Sequence, residues 1–281
     1  IRMKFTKMQG IGNDYLYFNC FEEKIENPSE LSIKLSDRHF GVGSDGIILI
    51  EPSDRADCRM DIYNADGSRA MMCGNGIRCV GKYVYERGLI KKDVLKVDTM
   101  SGVKTLYLDV KNGIVRSVKV DMGKPVFRSA AIPVQFPKET VIDEPITVDG
   151  VEYRITCVSM GNPHCILFAD DVERIAIEKI GPKMEHNPIF PDRANIEFVQ
   201  VLNSGEAKMR VWERGSGETW ACGTGACASA VSCAVNHKTG RKVKMHLKGG
   251  DLSIEWDDQT DTVFMQGPAE FVFEGTVNLS K

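Results

Sequence analysis

The chain has 281 residues and a formal net charge of −3, and this length is enough for two domains of ordinary size. Its lysines and arginines are scattered among acidic residues, which argues against binding to nucleic acid or to an anionic membrane surface. No apolar run reaches the roughly 20 residues that span a bilayer, and no signal-peptide pattern opens the chain, so we expect a cytoplasmic protein.

Short β-rich runs dominate the first half of the chain, separated by turn sequences such as ADG and KNG. We predict strands, in chain order, at LYFNC, GIILIE, CRMDIYN, VLKVDTM, VKTLYLDV and IVRSVKVDM. Helices are predicted over residues 28–37 and 74–87. The proline-rich segment FRSAAIPVQFPKETVIDEP has no clear periodicity, which predicts a domain boundary near residue 125.

The second half has the same character. We predict strands at YRITCVSM, HCILFAD, NIEFVQVL, KMRVWER, KVKMHL, LSIEWDD and TVFMQG. Helices are predicted over residues 171–184 and 223–237. With few helices and many strands in each half, the pattern favours an α+β fold.

The two halves also align with each other without gaps at an offset of 149 residues. The aligned positions are Gly12-Asn13 with Gly161-Asn162, Ile47 with Ile196, Met60 with Met209, Asn64 with Glu213, and Cys73-Gly74-Asn75-Gly76 with Cys222-Gly223-Thr224-Gly225. A duplicated domain would place the two cysteines at equivalent positions, and a cleft between domains is a common place for a ligand. We therefore expect the two thiols to lie on opposite walls of one cleft.

Cys73 and Cys222 each stand where a loop enters a predicted helix. The unpaired N–H groups and the positive dipole end of a helix lower the pKa of a thiol there and bind a carboxylate. Two such thiols on either side of one carbon can invert its configuration, because a thiolate removes the α-proton while a thiol protonates the opposite face. This pattern predicts an amino-acid epimerase.

Other ligands fit the sequence poorly. We find no lysine motif for pyridoxal phosphate, and therefore predict no cofactor. Residues 41–46 read GVGSDG, but a strand follows instead of the helix that a dinucleotide site needs. The spacings Cys73/Cys79 and Cys222/Cys227 are not those of zinc sites, so no metal is predicted. We interpret the remaining cysteines as structural, and a Cys73–Cys222 disulfide would be an inactive, oxidised state.

Four motifs resemble those of the diaminopimelate epimerase family along essentially the whole chain: KMQGIGNDY, NADGSRAMMCGNGIRC, SMGNPHC and ERGSGETWACGTGACAS. The resemblance implies cofactor-independent conversion of LL- to meso-diaminopimelate, a step of lysine and peptidoglycan precursor biosynthesis, by Cys73 and Cys222. It also implies an α+β fold of two pseudo-symmetric domains, each a mostly antiparallel, barrel-like sheet around a central helix. The expected domains are 1–125, completed by a C-terminal strand at 270–281, and 126–269. A homodimer is expected.

The resemblance further assigns roles to individual residues. It implies that the reacting carboxylate is bound by Gly74, Asn75, Gly223 and Thr224. It implies that the rest of the substrate is held by Asn13, Asn64, Asn162, Asn195, Glu213 and Arg214. His164 and Glu213 are expected to adjust the pKa values of the thiols. Gly46 departs from the family, since some relatives carry glutamine there.

Two other functions remain open on the residues. A proline racemase or hydroxyproline epimerase would use the same two thiols, although Glu213, Arg214 and the asparagines fit a longer substrate better. A binding module for amino-acid-like ligands would keep the helix-end carboxylate site but would not need two equivalent cysteines.

Overall fold

The computed structural model describes residues 2–278, which contain eighteen strands and four α-helices. The strands are β1 (Arg2–Gly10), β2 (Asn13–Asn19), β3 (Gly46–Glu51), β4 (Cys58–Asn64), β5 (Arg69–Ala70), β6 (Val94–Thr99), β7 (Gly102–Lys111), β8 (Ile114–Asp121), β9 (Glu144–Val148), β10 (Val151–Ser159), β11 (Pro163–Phe168), β12 (Asn195–Asn203), β13 (Glu206–Glu213), β14 (Gly217–Thr219), β15 (Lys242–Leu247), β16 (Gly250–Trp256), β17 (Val263–Gly267) and β18 (Glu270–Asn278). The helices are α1 (Pro28–Ser36), α2 (Gly74–Glu86), α3 (Ile177–Glu185) and α4 (Gly223–Val235).

The chain forms two compact units, one made of the residues up to Val120 with those from Gly267 onward, the other of Asp121–Gln266. In the first unit β1 pairs antiparallel with β2 and β18, and β2 runs parallel to β3. From β3 the ladder continues through β4, β6, β7 and β8, with β5 at the end of β4. Of the C-terminal segment predicted for this domain, residues 279–281 lie outside the described residues.

The second unit repeats this order of pairings. Here β9, β10 and β11 pair antiparallel, β11 runs parallel to β12, and the ladder continues through β13, β15, β16 and β17. The short β14 pairs with β13, as β5 pairs with β4 in the first unit. In both units, parallel pairs are therefore set into an otherwise antiparallel sheet.

One helix is buried at the centre of each unit. Residues 74–84 of α2 are buried, and the helix packs against β1, β2 and β7. Helix α4 is buried along almost its whole length and packs against β10, β11, β12, β13, β15 and β16. Helix α4 carries no charged residue and is therefore covered on all sides. The predicted α+β fold is confirmed.

The helix predicted over residues 171–184 is wrong in its first part. A 3₁₀-helix, Val172–Arg174, follows the Asp171 side chain, which accepts a hydrogen bond from the Glu173 N–H. Ile175 then has an extended backbone with ψ of 123°, so the chain has to begin a new helix, α3. Among the described residues, no helix combines the length and apolar composition that crossing a membrane requires.

Candidate active site

Cys73 and Cys222 are the N-cap residues of the two central helices. Their backbones are extended and nearly identical, with φ/ψ of −141°/114° at Cys73 and −136°/106° at Cys222. Each sulfur accepts a hydrogen bond at 3.3 Å from the N–H three residues later, that of Gly76 or Gly225. This is the place that a serine or aspartate oxygen takes in an ordinary N-cap, so the fold holds each sulfur at a positive helix end.

The glycines at the third helical position allow both helices to lie close to a strand. A Cβ on Gly76 would lie 2.6 Å from Cδ1 of Ile48 in β3. A Cβ on Gly225 would lie 2.6 Å from Oε1 of Glu197 in β12, and 3.0 Å from the sulfur of Cys222. A side chain at either position would require the side chain beneath it, Ile48 or Glu197, to move, and at Gly225 it would also crowd the Cys222 sulfur.

The prediction that the helix ends lower the thiol pKa values is wrong in its net result. Burial raises the pKa of Cys73, and the Gly76 N–H and the Tyr15 side chain offset only part of this rise. The pKa of Cys222 is raised well above its usual value, first by burial and then by the negative charges of Glu213 and Glu197. Because desolvation disfavours the thiolate more than the helix end favours it, both residues are thiols at neutral pH in this structure.

Asn13 is the main polar neighbour of Cys73. The Cys73 thiol donates to Oδ1 of Asn13 at 3.2 Å, and Nδ2 of Asn13 donates to Oδ2 of Asp45 at 2.7 Å. Nδ2 of Asn75 lies 3.5 Å from the same Oδ1. Oδ1 of Asn75 is buried and has no hydrogen-bond partner among residues 2–278. The side-chain hydroxyl of Tyr15 contacts both Cys73 and Asn13.

Asn64 and Gly46 lie opposite each other in the β3–β4 ladder. Nδ2 of Asn64 donates to the hydroxyl of Ser68 at 3.1 Å. A Cβ on Gly46 would lie 2.2 Å from the carbonyl oxygen of Tyr63. The backbone here leaves no room for a side chain, so residue 46 can offer a ligand only its main-chain groups.

A chain of hydrogen bonds leads away from Cys222. Its sulfur lies 3.6 Å from the hydroxyl of Thr224, to which Nδ2 of Asn162 donates at 3.3 Å. Oδ1 of Asn162 lies 2.9 Å from Nε2 of His164. Nδ1 of His164 lies 2.7 Å from Oε1 of Glu197, and neither of these two side chains has any exposed surface.

Glu213 is also in hydrogen-bond contact with Cys222, and it accepts a hydrogen bond from the hydroxyl of Thr219 at 2.5 Å. Burial raises the pKa of the Glu213 carboxyl. The N–H of the next residue, Arg214, donates to Oδ1 of Asn195 at 2.8 Å. The guanidinium group of Arg214 donates to the carbonyl oxygen of Asp192 and is exposed. It can therefore exchange that contact for a ligand carboxylate.

The structure thus brings the predicted residues into two groups. Asn13 and Asn75 lie next to Cys73. Thr224 and Glu213 lie next to Cys222, and Asn162 and His164 follow through Thr224. The sequence analysis missed Tyr15, Asp45 and Glu197. The signal for Glu197 was present, because it is the one charged residue of NIEFVQVL, a run otherwise typical of a buried strand.

All nine cysteines fall within the described residues, and each is a free thiol. Among residues 2–278, no group of three or more histidine, cysteine, aspartate or glutamate side chains is arranged to hold a metal ion.

The chain matches the family model described as diaminopimelate epimerase over residues 5–128 and 156–272. It is 56% identical over 279 residues to the diaminopimelate epimerase of Acetivibrio thermocellus, which is 99% of this chain and 100% of that relative.

Two solved structures show the fold. A hydroxyproline epimerase from Agrobacterium vitis, with bound trans-4-hydroxy-L-proline, has a TM-score of 0.71 at 16% identity, over 98% of this chain and 92% of that chain. A PhzF-family phenazine biosynthesis protein from Bacillus anthracis has a TM-score of 0.71 at 17% identity, over 99% of this chain and 100% of that chain. At these identities the likeness concerns the fold alone.

Proposed function

Since the chain belongs to the diaminopimelate epimerase family and is an epimerase of that family, we propose that it inverts one α-carbon of LL-2,6-diaminopimelate without a cofactor. The product is the meso isomer, which serves lysine and peptidoglycan precursor biosynthesis. The observation that carries the mechanism is the matched pair of N-cap cysteines, each bonded at 3.3 Å to a backbone N–H of its own helix.

In this mechanism one cysteine acts as a thiolate and takes the α-proton, while the other, as a thiol, gives its proton to the opposite face of the carbon. The S–H bond of the second residue breaks as the new C–H bond forms, so the two residues exchange protonation states in each turnover. The mechanism requires both sulfurs to reach one carbon, as the proposed duplication of the two units would allow.

The first helical turns supply the electrostatic part of catalysis. The backbone N–H groups of Gly74 and Asn75 in one unit, and of Gly223 and Thr224 in the other, would hold the reacting carboxylate and stabilise the charge that develops on it. Asn13 and Asn162 add amide groups next to these turns.

The remaining residues would serve the distal end and the second thiol. Asn64, Asn195, Glu213 and Arg214 together offer amides, one carboxylate and one guanidinium group, which is the set that an amino-acid zwitterion requires. Glu213 is already in contact with Cys222, so it would also influence the ionisation of that thiol, with His164 acting from the same side.

The test is proton NMR of LL-diaminopimelate in deuterium oxide with the reduced protein and no added cofactor. We expect the α-proton signal to fall while the meso isomer appears. Cys73→Ser and Cys222→Ser should each lower inversion by about 10²- to 10⁴-fold, and exchange should persist on at most one isomer per variant. Cys20→Ser, one residue beyond the C-terminal end of β2, is the control and should keep full activity.

Full turnover by either serine variant would contradict the two-thiol mechanism. Inactivity with diaminopimelate but exchange with proline or hydroxyproline would keep the mechanism and change the substrate. Binding of diaminopimelate without exchange would point to a binding protein. The cytoplasmic location and the homodimer stay predictions, and light scattering on the purified protein tests the homodimer.

A further inference from the structure

Glu197 is a buried carboxylate beneath the first turn of α4. Its side chain has no exposed surface, Oε1 lies 2.7 Å from Nδ1 of His164, and Oε2 has no hydrogen-bond partner among the described residues. Burying a carboxylate with a single partner is costly unless that partner carries a positive charge. The contact with His164 therefore has to provide most of the compensation.

The hydrogen bonds of His164 indicate its protonation state. Nδ1 faces a carboxylate oxygen of Glu197, and Nε2 lies 2.9 Å from Oδ1 of Asn162. The Asn162 amide is oriented by its Nδ2, which donates to the hydroxyl of Thr224 at 3.3 Å. With Glu197 as a carboxylate and the Asn162 oxygen towards the ring, both ring nitrogens face acceptors, and a ring that donates at both nitrogens is an imidazolium ion.

The fold itself does not require this charged pair. At the offset of 149 residues, the positions of His164 and Glu197 correspond to Tyr15 and Ile48 in the first unit. Ile48 lies beneath Gly76 as Glu197 lies beneath Gly225, with the same 2.6 Å limit on a Cβ. An apolar residue therefore supports the same helix start in the other unit, and the carboxylate has another role.

We propose that Glu197 is a positioning residue: it holds His164 as an imidazolium ion, and His164 in turn keeps the Asn162 carbonyl facing the ring and the Asn162 amide N–H groups facing Thr224. The proposal rests on the proposed function, in which Asn162 and Thr224 bind the substrate next to Cys222. One N–H of this amide donates to the Thr224 hydroxyl, and the other would donate to a carboxylate bound beside it.

Replacing Glu197 by glutamine would reverse this orientation. A glutamine of the same shape can accept a hydrogen bond from Nδ1–H but cannot stabilise a buried cation, so His164 becomes neutral and its Nε2 becomes an acceptor. The Asn162 amide then rotates to donate to Nε2, and Oδ1 turns towards Thr224. An oxygen would face the substrate carboxylate in place of the N–H groups.

The first experiment measures the wild-type protein. The wild-type protein is labelled with ¹⁵N-histidine, and the ring nitrogens of its five histidines are recorded by NMR near neutral pH, with His164→Gln used for assignment. We expect both nitrogens of His164 to carry protons. A ring with one unprotonated nitrogen would overturn the proposal, whether or not the protein epimerises diaminopimelate.

The second experiment compares Glu197→Gln with Glu206→Gln. Glu206 is the matched control, because its Oε2 lies 3.1 Å from Nε2 of another histidine, His246, in a partly exposed pair of the same unit. Glu197→Gln should remove one ring proton from His164 and lower kcat/KM by about 10- to 100-fold, mainly through KM, since a hydrogen bond to a charged group is lost. Glu206→Gln should match the wild type.

Glu197→Asp serves if the glutamine variant does not fold. It keeps the carboxylate and should keep both ring protons and part of the activity. Wild-type kcat/KM in Glu197→Gln, or an imidazolium at His164 in that variant, would overturn the proposal.

Discussion

The thiol of Cys73 donates a hydrogen bond to Oδ1 of Asn13 across 3.2 Å. Asn13 begins β2 and cannot rotate freely, because its Nδ2 donates to Asp45 at 2.7 Å. The oxygen that faces the thiol is therefore held in place by the Asp45 carboxylate. This network orients the S–H group of Cys73. In the second unit, Asn162 and His164 form the corresponding network of hydrogen bonds.

Asn13→Ala removes that acceptor and should lower kcat/KM by about 10- to 100-fold, because Cys73 loses its oriented partner and the substrate loses an amide. Asn19→Ala, at the opposite end of the same strand, is the control. It removes a hydrogen bond that the Asn19 side chain accepts from the Phe21 N–H in the following turn. Steady-state kinetics measure both. Equal activity of the two variants would argue against a role for Asn13.

The pH dependence of activity follows from the raised pKa values of Cys73 and Cys222. Turnover needs one thiolate, and burial keeps both residues protonated at neutral pH. We expect kcat/KM to increase with pH above neutrality, by up to about tenfold per pH unit until the first thiol ionises. A profile that is already flat below pH 7 would mean that a thiolate exists in the free enzyme.

Buried structural thiols should make the fold sensitive to alkali. Burial raises the pKa of Cys58 to about 12, so between the unfolded thiol pKa, about 8.5, and that value only the unfolded chain ionises at this site. The free energy of unfolding should therefore fall with rising pH, by about 1.4 kcal/mol per pH unit for each such thiol.

Denaturant titrations of the wild type and of Cys58→Ala, from about pH 7 to about pH 11, measure this slope. Cys58→Ala should be less stable than the wild type at neutral pH because of the cavity it creates. Its free energy of unfolding should fall less steeply with pH, by the contribution of one thiol. Parallel slopes would show that Cys58 ionises equally in both states.

Gly46→Ala should destabilise the first unit by about 1–3 kcal/mol or more, because the added Cβ would lie 2.2 Å from the carbonyl oxygen of Tyr63. Gly113→Ala is the comparison. It has a φ of +76° but no atom within 4 Å of the new Cβ, so only backbone strain of about 1 kcal/mol applies. Thermal unfolding measures the loss of stability in both variants. An equal loss in the two would contradict a steric clash at Gly46.

The double variant His164→Tyr with Glu197→Ile copies the pair that the first unit has at Tyr15 and Ile48. Replacing a buried charged pair by residues of this kind is neutral or stabilises by about 1–4 kcal/mol, whereas Glu197→Ile alone leaves a buried Nδ1–H without an acceptor and destabilises by about 1–3 kcal/mol. Epimerisation should fall in both. Equal loss of stability in the two would show that the pair serves the fold.

Much of the local structure could be predicted from the sequence alone. The strands β3, β4 and β15 coincide with GIILIE, CRMDIYN and KVKMHL, and both central helices begin at the residues expected, Gly74 and Gly223. Strands and helix starts could be predicted because local sequence patterns, such as β-forming runs and a glycine-rich helix start, indicate them. The family motifs are likewise continuous in the chain, which is why the family prediction is confirmed.

Only the tertiary structure decided the electrostatics of the site. The contact between His164 and Glu197 joins residues that are 33 positions apart, and the sequence does not indicate which buried strand position will lie beneath Gly225. The same holds for the thiols: a helix start lowers a thiol pKa, but burial by distant strands raises it more. Desolvation depends on everything packed around a group, and that packing exists only in the folded chain.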